Sequence, residues 1–221
     1  MGQSAKDRIL EHGIIAICRK IYRDDLRHAV EAMYEGGVRH LEVTFDQSDP
    51  ACMDKTCEAI ALAASICPEM AVGAGTVLTV EQVRGARQAG GSLIVSPNTD
   101  CAVIAETKSL GMVSIPGAMT PSEIVAAHAA GADIVKLFPA SWLGTQYIRD
   151  ITSPISHIPL LATGGVSLDN FGDFLDAGCC GAGLGGTLCV KSMIRDGQWD
   201  ALQEQARKFV EIFRAHRKDA R

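Results

Sequence analysis

The chain has 221 residues, 47% apolar and 21% charged, with a net charge of -5. This is enough for one barrel-sized domain over residues 1–221, while the acidic balance argues against nucleic acid or an anionic membrane as partner, since both need a basic face. Eight cysteines occur without CxxC or paired Cys/His spacing, so the expectation is small core residues in a reducing cytoplasm, not a disulfide framework or a zinc site.

The N-terminal stretch MGQSAKDRILEHG has no apolar run of signal-peptide length. Beyond it, short apolar runs alternate with amphipathic stretches to the end of the chain. In chain order the predicted strands are GIIAIC (13–18), VRHLEVTF (38–45), MAVGAGTV (70–77), SLIVSP (92–97), MVSIPG (112–117), ADIVKLFP (132–139), IPLLATGG (158–165) and GAGLGG (181–186). Helical periodicity follows most of them, over 24–37, 48–66, 79–91, 98–111, 120–131, 167–179 and 196–218. Ser48, Thr79, Thr120 and Ser167 stand where N-caps are expected, with Pro121 in a first turn. Ala89-Gly90, Ala130-Gly131 and Ala177-Gly178 read as C-terminal stops.

Eight strands alternating with helices leave two parallel architectures, a closed (β/α)8 TIM barrel and an open doubly wound sheet. No GxGxxG follows the first strand, which argues against a dinucleotide-binding sheet. The polar and glycine-rich anomalies fall at strand C-terminal ends, where a barrel builds its active site. The expectation is therefore an α/β fold of the TIM-barrel type.

Lys136 is the sharpest anomaly, an ammonium inside the apolar run ADIVKLFP. Strand alternation sends it with Ile134 and Phe138, away from Val135 and Leu137. On the second strand Glu42 and Thr44 share one face and Leu41, Val43 and Phe45 the other. If the apolar faces pack on helices, Glu42 and Lys136 project into the barrel mouth, where Thr76 can join them. A desolvated neutral lysine is a nucleophile toward carbonyl carbon, and a carboxylate beside it can move protons; the competing reading is a buried Glu42–Lys136 ion pair. Gly164 and Gly165 after the seventh strand, and Gly185 and Gly186 closing the eighth, read as backbone anion cradles or as tight turns. Arg19 reads as an anion contact or a solvated surface arginine.

Taken in order, GIIAICR (13–19), LEVTF (41–45), VGAGTV (72–77), VSPN (95–98), IPGAMTPSE (115–123), VKLFPA (135–140) and TGGV (163–166) resemble the class I 2-keto-3-deoxy-6-phosphogluconate / 4-hydroxy-2-oxoglutarate aldolases. The resemblance implies a usually trimeric (β/α)8 barrel that splits a 2-keto-4-hydroxy acid to pyruvate and an aldehyde with no metal or other cofactor. It implies Lys136 as the Schiff-base lysine and Glu42 as the proton shuttle. Thr76 and the backbone at Pro97 would meet the pyruvyl end, Phe138 would pack beside the lysine, Gly164 and Gly165 would hold the phosphate or distal carboxylate, and Arg19 matches the family's first-strand arginine; Thr44, Gly185 and Gly186 join the candidate substrate-binding residues from their places at the strand ends. Two positions depart from the family pattern. Asp46 stands where many members have arginine, and Gly186, followed by Thr187, stands where they have a phosphate-binding serine. The substrate implied is thus a phosphorylated acid, a dicarboxylate, or the galactonate-derived epimer.

Overall fold

Strands whose residues are dry on both faces can only sit under a complete layer of helices, and the burial of Ile14–Cys18, His40–Thr44, Leu160–Thr163 and Gly181–Leu184 is of that kind. A computed structural model describes residues 4–219 of the chain. Its strands, all parallel, are β1 (Ile14–Cys18), β2 (His40–Thr44), β3 (Ala71–Gly75), β4 (Leu93–Val95), β5 (Val113–Ile115), β6 (Gly117–Ala118), β7 (Val135–Leu137), β8 (Leu160–Thr163) and β9 (Gly181–Leu184), in the sheet order β5-β4-β3-β2-β1-β9-β8-β7-β6. The helices are α1 (Ala5–His12), α2 (Arg23–Glu35), α3 (Cys52–Ile66), α4 (Val80–Gln88), α5 (Cys101–Ser109), α6 (Pro121–Ala129), α7 (Ala140–Thr152), α8 (Phe171–Asp176), α9 (Lys191–Arg195) and α10 (Trp199–Asp219).

The barrel expectation holds, with the fifth run divided in two. Pro116 has no N–H to donate, so the ladder breaks there. Its carbonyl still accepts the Lys136 N–H at 2.8 Å, and Ser114 O accepts from Asp133 at 3.0 Å. These bonds carry the ring from β5 and β6 across to β7.

Two apolar layers result. Leu41, Val43, Phe45, Val135 and Leu137 pack outward against the helices. Ile15, Leu93, Val95, Val113, Ile115, Ile134 and Leu161 fill the barrel interior, closed from below by Ile9 of α1. The alternation expected on β2 and β7 is therefore observed, and Glu42 and Lys136 lie on the inward side.

Several local expectations need correction. Thr79 does cap α4, accepting from Gln82 N, and Thr120 caps α6 in a full capping box. Ser48 does not cap α3, which starts at Cys52; its hydroxyl donates to Asp46 instead. Ser167 is not the cap of α8 either, since Asn170 occupies that position and accepts the Ser167 N–H. Helices α1, α7 and α9 were not expected. Cys18, Cys67, Cys179 and Cys189 are buried as small core residues, whereas Cys101 is exposed. Among the described residues no helix is long and apolar enough to cross a membrane.

Candidate active site

At the C-terminal end of the barrel the strands open into a cavity of about 490 Å³, within the size range of small-ligand sites. Arg19, Glu42, Thr76, Pro97, Lys136, Phe138, Gly164, Gly165, Gly185 and Gly186 all line it. Residues from seven of the strand ends thus converge, as a barrel mouth allows. Thr44 does not reach the wall. It is buried beside Gly75, its register partner on β3, where a β-carbon would stand 3.0 Å from the Thr44 methyl.

Lys136 and Glu42 keep 7% and 2% of their surface exposed. No salt bridge joins them among the described residues, so the buried ion pair is not the arrangement observed. Burial pushes the Glu42 carboxyl up, with the positive charges of Lys136 and Arg19 pulling the other way. Burial lowers the Lys136 ammonium, Arg19 lowers it further, and Glu42 opposes. Both groups are moved toward their neutral forms. The Lys136 Nζ lies 4.8 Å from the centre of the Phe138 ring, an apolar wall with a weak preference for the cation.

The glycine at 75 has a specific cause: a β-carbon there would lie 2.5 Å from Glu42 Oε1. Only glycine lets the carboxyl lie along β3. The next residue, Thr76, has φ 56, a left-handed conformation that is a genuine outlier for a β-branched side chain. Gly164 and Gly165 are left-handed as well, at φ 91 and 77, which suits a turn that presents backbone to a ligand.

The two departures fall in different places. Asp46 is outside the cavity wall, paired with Lys20 at 2.7 Å and accepting from Ser48; the Lys20 and Ser48 contacts bring its carboxyl down to about 2. Gly186 lines the cavity with open space where a β-carbon would go.

Sequence reasoning missed Thr163, Cys189 and Lys191 as wall residues. Thr163 begins the TGGV turn and is buried, and among the described residues its hydroxyl has no hydrogen-bond partner. Lys191 opens α9, one of the three helices outside the predicted set. It adds a cation to the rim on the side of Arg19 and the Gly185-Gly186 turn, which itself is fixed by Cys189 N–H donating to Gly185 O at 2.7 Å.

Residues 6–205 match the profile of the KDPG and KHG aldolase family. The chain belongs to that family. It is 39% identical to the probable 2-dehydro-3-deoxy-6-phosphogalactonate aldolase of Rhizobium meliloti (strain 1021), over 83% of this chain and 85% of that one. It is 32% identical to the KHG/KDPG aldolase of Escherichia coli (strain K12), over 84% and 86% of the two chains. Among solved structures, one described as native KDPGal superposes with a TM-score of 0.80 at 36% identity, covering 93% of this chain and 96% of the other. The aldolase family assignment carries lyase chemistry with it.

Proposed function

We propose that this aldolase works through a Schiff base on Lys136 and cleaves a 2-keto-3-deoxy-6-phospho sugar acid to pyruvate and glyceraldehyde 3-phosphate. The observation that carries the reading is a buried lysine without an ion-pair partner, opening onto a cavity beside a carboxyl group whose pKa is raised. The neutral amine attacks the C2 carbonyl, and the carbinolamine loses water with a proton supplied by Glu42. Glu42, now ionised, takes the proton from the C4 hydroxyl. The C3–C4 bond breaks, its electron pair moves toward the iminium to form an enamine, and the aldehyde leaves. Protonation at C3 and hydrolysis then release pyruvate and free Lys136.

Thr76 and the Pro97 backbone face the pyruvyl end in this reading, and Phe138 walls the lysine. Gly164, Gly165, Gly185, Gly186 and Arg19 surround the distal anion, with Lys191 adding charge at the rim. The greater identity to a galactonate relative than to the KHG/KDPG relative favours 2-keto-3-deoxy-6-phosphogalactonate as substrate. The gluconate epimer and 4-hydroxy-2-oxoglutarate are the second reading, supported by the family profile. A non-catalytic sugar-acid-binding barrel is disfavoured by the full set of unspent reactive groups at the mouth. We read the protein as a homotrimer of the cytoplasm; Trp142, 86% exposed on α7, supports a subunit contact on that face, and the mass in solution tests it.

Two measurements test the function. Borohydride with pyruvate should add mass to Lys136, because reductive trapping requires an iminium. A pyruvate-release screen over both epimers, each with and without phosphate, should then rank the substrates. Turnover without any trappable adduct would replace the covalent mechanism with one in which Glu42 and Lys136 act only as acid and base.

A further inference from the structure

Thr76 needs something to hold it. A left-handed conformation persists at a β-branched residue only where the surroundings over-determine it, and the residues that do so here were not among those singled out by sequence. Gln47, in the loop after β2, donates from Nε2 to Thr76 O at 2.7 Å. Its Oε1 accepts from Gln82 Nε2 at 3.0 Å. Gln82 Oε1 in turn accepts the Leu78 N–H at 2.7 Å. On the other side of the turn the Val77 N–H donates to Val95 O at 3.2 Å.

The direction of this chain is fixed at both ends. A backbone carbonyl at 76 can meet only a donor, and a backbone N–H at 78 can meet only an acceptor. Each amide must therefore present one oxygen and one nitrogen in the order observed. Gln82 is buried, with 5% of its surface exposed, and sits in the first turn of α4 behind the Thr79 cap. Glutamate would serve that helix end equally well, since a carboxylate both accepts the same N–H and suits the positive end of the helix. What glutamate cannot supply is the donor that reaches Gln47. An amide at 82 is thus explained by the strand end it supports rather than by the helix it begins.

We infer that Gln47 and Gln82 are positioning residues, an amide relay that holds the Thr76 turn so that its side chain meets the pyruvyl half of the substrate. The inference rests on the reading above that Thr76 contacts that half. Breaking the relay lets the turn relax to ordinary backbone and carries the hydroxyl off its place. Among the described residues Gln47, which is exposed, makes no side-chain hydrogen bond outside the relay.

A double-mutant cycle tests it, with Thr76→Val to remove the hydroxyl and Gln82→Glu to break the relay while keeping the helix cap. The readouts are apparent pyruvate affinity, from borohydride trapping on Lys136, and the thermal midpoint. Thr76→Val should weaken pyruvate capture roughly 10-fold in the wild-type background and less than about 3-fold beside Gln82→Glu, because coupled residues are not additive. Gln82→Glu by itself, and Gln47→Leu at the exposed end of the relay, should each weaken capture about 3-fold to 10-fold with little change in thermal midpoint. If Gln82→Glu does not fold, Gln47→Leu completes the cycle. An equal cost of Thr76→Val in both backgrounds overturns the relay. A Thr76→Val protein that captures pyruvate as the wild type does overturns the Thr76 contact and the relay with it. A wild type that traps no pyruvate overturns the Schiff-base reading itself.

Discussion

The two ends of the barrel make an instructive contrast, because both carry hollows of comparable size and, among the described residues, only one has unpaired titratable groups facing into it. Beneath β8 and β9, at their N-terminal ends, a hollow of about 630 Å³ is lined by Leu10, Cys179, Cys180, Phe213, His216 and Arg217 among others. Its reactive groups are spent. Burial pushes the Cys179 and Cys180 thiols up to about 12, where no thiolate nucleophile forms at neutral pH. The Arg217 guanidinium donates to Leu10 O at 2.6 Å, and His216 faces Asp176 at 3.7 Å. At the mouth, Lys136 and Glu42 are buried to a similar degree, yet each opens onto the cavity and neither is consumed by a salt bridge. Volume alone does not make a site; unspent groups facing each other across it do.

The same contrast runs along one strand. His40, Glu42 and Thr44 share the inward face of β2, from foot to mouth. His40 is fully buried, and among the described residues neither ring nitrogen has a properly aligned hydrogen-bond partner. Burial, helped by the adjacent His12, lowers its pKa to about 3, with the Ile14 backbone opposing. Two residues further on, burial again favours a neutral group, but there the group has a cavity to act in.

The largest expected effect comes from erasing the contrast at the mouth. Lys136→Arg keeps the charge but removes the nucleophilic amine, so cleavage and borohydride trapping should both vanish while the circular dichroism spectrum stays native. Appreciable turnover in this variant would move the Schiff base elsewhere. Glu42→Gln keeps the shape and removes the proposed proton carrier, with an expected loss in kcat on the order of 10² to 10⁴; slow trapping of pyruvate should survive. Wild-type turnover in this variant would reduce Glu42 to a structural neighbour.

At the foot, the expected effect is on stability. With the folded-state pKa of His40 lowered from 6.5 to about 3, the unfolded chain takes up a proton below pH 6.5 that the folded chain refuses. Stability from this group is full above that pH and is lost as pH falls from 6.5 toward 3. Each pH unit in that window costs about 1.4 kcal/mol, or roughly 3 kcal/mol by pH 4. Urea unfolding between pH 7 and 4 should show this slope, and His40→Leu should flatten it by nearly one proton. An unchanged slope would mean that the histidine titrates normally.

The smallest effect concerns the anion. Gly186→Ser adds a hydroxyl into open space, and a hydrogen bond to a charged group is worth about 1.5 to 3 kcal/mol. The preference for phosphorylated over unphosphorylated substrate, read as a ratio of kcat/KM, should rise by about 10-fold or more. A steep wild-type preference that the serine leaves unchanged would mean that Arg19, Thr187 or Lys191 already makes the missing contact.

Much of this was legible in the sequence, because strands and helices announce themselves by period and a barrel assembles neighbours in chain order. The inward placement of Glu42 and Lys136 needed only strand alternation and the apolar runs around them. Helix α1 was not legible: eight residues with one buried side chain, Ile9, gain their stability from plugging a barrel that must already exist. Helix α7 was hidden by Pro139 before it and by Gly144 within it, at φ 73 and ψ 166. Thr44 was assigned by alternation to the correct face, but it is buried beside its β3 partner Gly75 and off the cavity wall, a cross-strand contact that alternation does not carry. Whether Glu42 and Lys136 pair or stand apart was likewise undecidable from spacing, since it depends on the width of the mouth. The Gln47–Gln82 relay lies furthest from reach, because each amide is an ordinary polar residue until the fold brings a strained carbonyl to its end. Period and local chemistry belong to the chain, and they fixed the barrel and the inward placement of Glu42 and Lys136; contacts between residues distant in sequence belong to the closed barrel, and they decided which buried groups pair and which face the cavity.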